Sequence, residues 1–224
     1  MATSGTYDFS MDIDEVIQEA LENIGGEQTL GNEPVSARRS INLLLQDWQN
    51  RGILLWTAGT TSVSVSTSVT SYALTPSTLD VTEALINRDD TDIQLTRISM
   101  EEYAKIPRKG QTGRPSQYAV RRDRDNPTIF LWPIPENTTD LLKLEQIKYI
   151  EDVNKSAVQT ADISRRFAPS LTAGLSYYMS IKRPGIPEAR VNFLKVEYEE
   201  RLARAMNEDR ERTSAFFLPR LNLP

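Results

Sequence analysis

The first apolar pattern along the chain has helical spacing. Between residues 11 and 24 apolar side chains recur every three or four positions, with aspartate and glutamate opposite them, which predicts an amphipathic helix. Asp12 followed by Glu15 matches a capping box at the start of this helix, and Gly25-Gly26 predicts its end. Pro34 suits the first turn of a second helix, so the two should form a helical hairpin. The apolar face of the second helix consists of Ala37, Ile41, Leu44, Leu45 and Trp48.

After about residue 58 the apolar positions change from helical spacing to alternation. Val63, Val65 and Val69 stand among serines and threonines in the run 60–71, which predicts β-structure with one polar face. Further strands are predicted in the stretches VTEALIN, IQLTRIS, QYAVRR, TIFLW and LLKLEQIKYI. A short helix capped by Ser99 interrupts them. The middle of the chain is therefore predicted to be a small antiparallel sheet or sandwich.

Helical spacing returns in the last third of the chain. Two helices are predicted, joined at Pro184-Gly185, with Pro169 in the first turn of the earlier helix or at a kink. The last helix has an apolar stripe made of Val191, Leu194, Tyr198, Leu202 and Ala205. Opposite charges stand four residues apart in the pairs Glu197–Arg201, Glu200–Arg204 and Glu208–Arg212.

The order of these patterns predicts an α+β fold. We expect N- and C-terminal helices to form a helical bundle, with an inserted antiparallel β-sheet or sandwich domain and an extended C-terminal tail. The predicted boundaries give a helical hairpin in 1–57, a β domain in 58–155, a second helical hairpin in 156–212 and a docking tail in 213–224.

The tail is unusually apolar for a segment that follows a densely charged helix end. Two prolines and an asparagine make a regular helix unfavourable there. One interpretation is that the tail folds back onto its own bundle, and the other is that it docks on another protein through alternate side-chain pockets. We expect docking. The side chains predicted to dock are Phe216, Phe217, Leu218, Leu221 and Leu223.

Composition excludes several classes of chemistry. The chain has neither cysteine nor histidine, which removes thiolate nucleophiles, disulfides, Cys-type zinc sites and the usual proton-transfer side chain. The net charge of -5 argues against a general nucleic-acid binder, which needs a basic surface. The first residues lack the features of a signal peptide, and synthesis in the host cytoplasm with no membrane partner is expected.

Three sets of residues remain as candidates for chemistry. The carboxylates Asp89, Asp90 and Asp92 are interpreted as a hairpin turn rather than a metal site or a hydrolase pair. The aromatic side chains Trp48, Trp56, Phe130 and Trp132 are interpreted as core rather than as a stacking platform. A basic loop in 108–124 is either an exposed loop or a contact to DNA or an acidic partner. Its candidate contact residues are Arg108, Lys109, Arg114, Arg121 and Arg122. No catalytic, cofactor-binding or metal-binding residues are predicted.

Four segments in this order resemble the head-to-tail adaptor proteins of short-tailed bacteriophages. They are MDIDEVIQEALENIGG, ARRSINLLLQDWQNRGILLWT, SYALTPSTLDVTEALI and QYAVRRDRDNPTIFLWPIPE, which together span about residues 11–150. In the third segment Thr75 separates Leu74 from Pro76, a departure from the family's strand end.

The resemblance implies a non-enzymatic virion protein at the head–tail junction. It implies a homo-oligomeric ring, twelve-fold in this family, that joins the portal protein to the tail nozzle protein and continues the channel for DNA ejection. A tail fibre or tailspike is a further expected partner, and double-stranded DNA would pass the lumen without sequence-specific contacts. The alternatives are a neck or tail-tube component and a DNA-binding virion protein that uses the basic loop.

Overall fold

A computed structural model describes most of the chain, as two compact units. The helical unit consists of Met1–Leu45 and Asp152–Pro224, and the β unit consists of Gln46–Glu151. Helices lie at both ends of the chain with antiparallel sheets between them, which confirms the predicted α+β class. The described residues are 5, 9–25, 33–53, 55–154 and 159–209.

Five helices and ten strands form in the described part of the chain. The helices are α1 (Ile13–Asn23), α2 (Glu33–Asn50), α3 (Met100–Lys105), α4 (Ala168–Lys182) and α5 (Glu188–Glu208). The strands are β1 (Ala58–Ser64), β2 (Ser71–Ala73), β3 (Thr78–Arg88), β4 (Thr91–Gln94), β5 (Thr96–Arg97), β6 (Thr112–Gly113), β7 (Gln117–Arg121), β8 (Thr128–Trp132), β9 (Ile134–Pro135) and β10 (Leu141–Lys148).

The predicted signals at the helix ends are confirmed. Asp12 accepts a hydrogen bond from the backbone N–H of Glu15 at 2.8 Å, and Glu15 accepts one from the N–H of Asp12 at 3.0 Å. This reciprocal pair satisfies two amide donors at the start of α1. Gly25 follows the helix with a φ of +71°, a left-handed conformation that glycine adopts without strain. Pro169 lies in the first turn of α4, as predicted.

Helix α4 is the centre of the helical unit. It is buried on nearly every side, and α1 and α5 pack against it. At Gly174 a β-carbon would lie 2.7 Å from Cδ2 of Leu44 in α2 and 2.9 Å from Cε2 of Tyr198 in α5. Only glycine therefore allows these two side chains to approach α4 so closely. The predicted apolar faces of α2 and α5 are buried as expected, although Val191 is only half-buried.

The β unit is built from two four-stranded sheets with a common core. The first sheet has the order β1-β10-β3-β4, and the second has the order β2-β8-β7-β5. A short parallel pair, β6 with β9, accompanies them. The core between the sheets takes Ile86 and Leu142 from the first sheet and Tyr118, Ile129 and Leu131 from the second. Alternation of apolar and polar positions produces this arrangement because successive side chains point to opposite faces of a strand.

Two sequence predictions in the β unit need correction. The stretch IQLTRIS is not one strand, because β4 pairs with β3 in the first sheet whereas β5 pairs with β7 in the second. Leu95, buried between them, marks the point where the chain changes sheets. The Ser/Thr run 60–71 is also not continuous β-structure, since β1 ends at Ser64 and β2 starts at Ser71.

Candidate docking surfaces

The Ser/Thr-rich strand β1 lies at an edge of the first sheet. It pairs with β10 from Ala58↔Ile147 to Ser64↔Leu141, and within the described residues its other side has no strand partner. Its side chains alternate between exposed and half-buried, so the strand hides little apolar surface. Strand β4 lies at the opposite edge of the same sheet. Exposed sheet edges carry unpaired backbone donors and acceptors, which makes both strands candidate docking edges.

The first two residues of the basic loop, Arg108 and Lys109, form hydrogen bonds that fix the loop beside helix α3. The Lys109 ammonium donates a hydrogen bond to the carbonyl of Ala104 at 2.7 Å, where it stabilises the end of the helix. The Trp132 indole donates to the carbonyl of Arg108 at 3.1 Å. The loop is therefore fixed at its backbone, while the side chain of Arg108 remains exposed.

Two basic residues farther along the chain, Arg121 and Arg122, are neutralised by neighbouring acids. Arg121 donates to Asp123 at 2.8 Å and lies 5.1 Å from the ring centre of Phe130. Arg122 forms an ion pair with Asp80, which also accepts hydrogen bonds from Arg97 at 3.0 and 3.1 Å. Burial, the largest influence, raises the pKa of Asp80, but the hydrogen bonds together outweigh it and lower the pKa. In the described residues Arg108 and Arg114 are exposed and join no ion pair.

A buried ion pair that the sequence did not indicate anchors the loop before β10. Asp140 is 2% exposed and accepts hydrogen bonds from Arg88 at 2.6, 2.9 and 3.1 Å. Arg88 also pairs with Glu136 at 2.8 Å. The bonds from Arg88 are the main reason that the pKa of Asp140 lies below its ordinary value. Both Asp140 oxygens are engaged by the guanidinium, so this carboxylate stabilises the fold.

The predicted hairpin turn is found where expected, whereas only one of the four predicted core aromatics is fully buried. Asp89 and Asp90 have φ values of 50° and 58° and connect β3 to β4. Asp92 binds Lys143 at 2.8 Å, and this contact is the largest cause of its lowered pKa. Among the described residues no group of three or more acidic side chains could hold a metal ion. Trp48 is fully buried, which confirms its assignment to the core, whereas Trp56, Phe130 and Trp132 are only half-buried and line its margin.

An apolar groove opens on the helical unit. It has a volume of about 600 Å³ and is lined by Phe9, Val16 of α1, the loop 160–165 and Leu171 of α4. A smaller cavity of about 360 Å³ lies between the start of α4 and the end of α5. Pro169 and Arg201 line both cavities, so the two are adjacent. The predicted docking side chains Phe216, Phe217, Leu218, Leu221 and Leu223 lie outside the described residues.

Large apolar side chains are also exposed on the outer faces of two helices. On α2, Val35 and Leu43 are 47% and 49% exposed. On α5, Phe193 and Val196 are 56% and 54% exposed. They lie opposite the buried faces of their helices, which gives the helical unit two separate apolar surfaces.

A comparison with protein families identifies the family of the chain. The model of the SU10 adaptor protein family matches residues 11–220, a range that contains every helix and strand described above. No curated protein matches the chain. In the described part of the chain, no helix has the length and apolar content needed to cross a membrane. The chain therefore belongs to the SU10 adaptor protein family, a family of phage adaptor proteins, and is a structural component of the virion.

Proposed function

We propose that this chain forms the ring that joins the portal to the tail nozzle at the head–tail junction and continues the channel for DNA ejection between them. The observation that carries the proposal is the match to a phage adaptor family over residues 11–220. An adaptor between head and tail must bind one partner on each side. It must also repeat around the channel, because the DNA passes through the middle.

A closed ring of identical copies needs two different complementary faces on each copy. The first sheet offers such a pair, since β1 and β4 form its two edges. Pairing of β1 in one copy with β4 in the next would extend the sheet from copy to copy. The exposed apolar side chains of α2 and α5 offer a second pair of faces. Twelve copies are proposed from the resemblance to head-to-tail adaptors.

The charge distribution supports passage of DNA rather than retention. The chain carries a net charge of -5, and three arginines of the β unit, Arg97, Arg121 and Arg122, are paired with aspartates. Arginines already bound to carboxylates release fewer counterions from DNA, so they contribute less to affinity. Double-stranded DNA in the lumen is therefore a transient, sequence-independent contact.

The segment 213–224 is proposed to bind the portal, with the nozzle and a tail fibre or tailspike as partners on the other side. Five large apolar side chains, interrupted by Pro219 and followed by Pro224, are better accommodated in a groove of another protein than in water. Deletion of residues 213–224 should leave the circular dichroism spectrum unchanged and abolish capture of the portal protein in a pull-down. Alanine at Thr213 and Ser214, which keeps the apolar side chains, is the matched control and should retain capture. Undiminished capture by the deletion variant would contradict docking through this segment.

A second candidate is a DNA-binding virion protein. The side chains of Arg108 and Arg114 favour it, because both are exposed and form no salt bridge within the described ranges, although the charge of Arg114 also acts on Asp140. It requires affinity for double-stranded DNA that falls steeply with salt and decreases when both arginines are replaced by alanine. Negligible DNA binding at low salt would remove this candidate and leave the ring adaptor.

A further inference from the structure

The apolar groove of the helical unit lies beside the point where the described chain ends. Arg166 donates to the carbonyl of Glu208 at 3.3 Å and pairs with Asp209 at 3.1 Å, which fixes the end of α5 against the start of α4. Glu208 lines the smaller cavity, which shares Pro169 and Arg201 with the groove. A segment that continues from Asp209 therefore starts beside the smaller cavity, which adjoins the groove.

The length and composition of the following segment match the groove. Residues 210–224 could extend over about 50 Å at roughly 3.3 Å per residue, so reach is no limit. The groove is mostly apolar, and at its edge Phe9 is 79% exposed. The segment 213–224 carries five large apolar side chains, which would lose contact with water in such a groove.

The charged lining of the groove consists of Arg165, Arg201, which is paired with Glu197, and Glu19, and the last of these offers a local match to the segment. Glu19 lines the groove, is exposed, and forms no hydrogen bond or ion pair with the rest of the described chain. Arg220 is the single charged residue of the segment 213–224, and it stands between Leu218 and Leu221. A segment that inserts its leucines into the groove would bring this guanidinium to the rim, where Glu19 lies.

We propose that the groove binds residues 213–224 of the same chain in the isolated protein. The bundle thereby holds the docking side chains out of water until a partner removes them. The groove proposal does not need the portal, but its consequence for portal binding rests on the proposed function. A tail held in the groove and a tail bound to the portal are mutually exclusive states of one segment.

Engineered disulfides in the full-length chain test the proposal, because the natural sequence contains no cysteine. One thiol is placed in the groove by Ala161→Cys and the other in the tail by Asn222→Cys, which keeps the apolar side chains. The matched control pairs Asn222→Cys with Arg39→Cys on the exposed outer face of α2, a residue that lines neither cavity. We expect the groove pair to form an intrachain disulfide at least tenfold faster than the control pair.

Substitutions on both sides refine the test. Glu19→Arg should slow formation of the groove disulfide by about two- to fivefold, the range of an exposed ion pair, and Arg220→Glu in the same chain should restore it. Phe216→Asp together with Phe217→Asp should slow it to the rate of the control pair. Equal rates for the groove and control pairs would overturn the proposal. Disulfides formed mainly between two chains would also overturn it, since they assign the groove to the tail of another copy.

The same disulfide separates this proposal from the proposed function. Chains locked by the groove disulfide should lose capture of the portal protein, and reduction with dithiothreitol should restore it. If the groove disulfide forms readily but deletion of residues 213–224 leaves portal capture intact, the groove proposal stands and portal docking through the tail fails. If the deletion abolishes capture while the groove and control disulfides form equally fast, portal docking through the tail stands and the groove proposal fails.

Discussion

Replacement of Asp140 should destabilise the β unit by an amount that follows from its contacts. Removing one partner of a buried ion pair costs about 3–5 kcal/mol. Arg88 is 25% exposed and retains Glu136 at 2.8 Å, so we expect about 2–3 kcal/mol for Asp140→Ala. Asp140→Asn keeps one carbonyl oxygen as an acceptor, so this variant should lose only about 1–2 kcal/mol of unfolding free energy.

Urea unfolding followed by tryptophan fluorescence measures this loss directly. Trp48, Trp56 and Trp132 all lie in the β unit, so intrinsic fluorescence reports that unit. If the unfolding free energy falls by about 2 kcal/mol per molar urea, Asp140→Ala should lower the unfolding midpoint by about 1 M or more. Asp125→Asn, a change of an exposed aspartate in the same unit, is the control and should remain within about 0.5 kcal/mol.

The effect should also depend on pH in a defined direction. Hydrogen bonds from Arg88 lower the pKa of Asp140 in the folded protein below the unfolded value of about 3.9. The stabilisation is therefore complete above about pH 5 and is lost as the pH falls through the folded pKa. The difference in unfolding free energy between the natural chain and Asp140→Asn should be constant from pH 5 to pH 8 and decrease below about pH 4. An unchanged midpoint at pH 7, or a difference that grows on acidification, would show that the Arg88–Asp140 pair does not stabilise the folded β unit.

Two further predictions concern the helical unit. Gly174→Val should destabilise it by about 2–3 kcal/mol, because a β-carbon there would lie 2.7 Å from Leu44 and 2.9 Å from Tyr198. The melting temperature measured by circular dichroism should fall accordingly. A Gly174→Val chain as stable as the natural one would show that α4 is not tightly enclosed. Val196→Lys should leave the melting temperature unchanged but reduce ring formation in analytical ultracentrifugation, since it puts a charge on the outer face of α5. The control is Ile181→Lys, which changes an apolar side chain of α4 that is 59% exposed. Rings that persist in Val196→Lys would exclude the outer face of α5 from the interface.

Features that depend on residues close in sequence were predictable. The capping boxes at Asp12 and Ser99 join residues three positions apart, and the stripe of α5 needs only the period of a helix. The hairpin at Asp89-Asp90 follows from the tolerance of aspartate for left-handed backbone conformations. These interactions are local, so a single sequence carries them.

Features that depend on distant residues were not predictable. Arg88 and Asp140 are 52 residues apart, and nothing in the local pattern of either residue selects the other. Similarly, Arg122, which follows β7, and Asp80 of β3 come together only because the two sheets fold into one unit. The break between β4 and β5 was missed because the alternation of side chains continues while the backbone changes sheets. The groove likewise combines segments from both ends of the chain, which no periodicity reveals.

The mass in solution of the chain alone and of its mixture with the portal protein shows whether the chain assembles as a ring on the portal. We expect the mixture to contain a portal complex enlarged by twelve copies, about 305 kDa from twelve times 25.4 kDa. A portal whose mass does not change on mixing, beside a chain that remains at 25.4 kDa, would contradict this expectation.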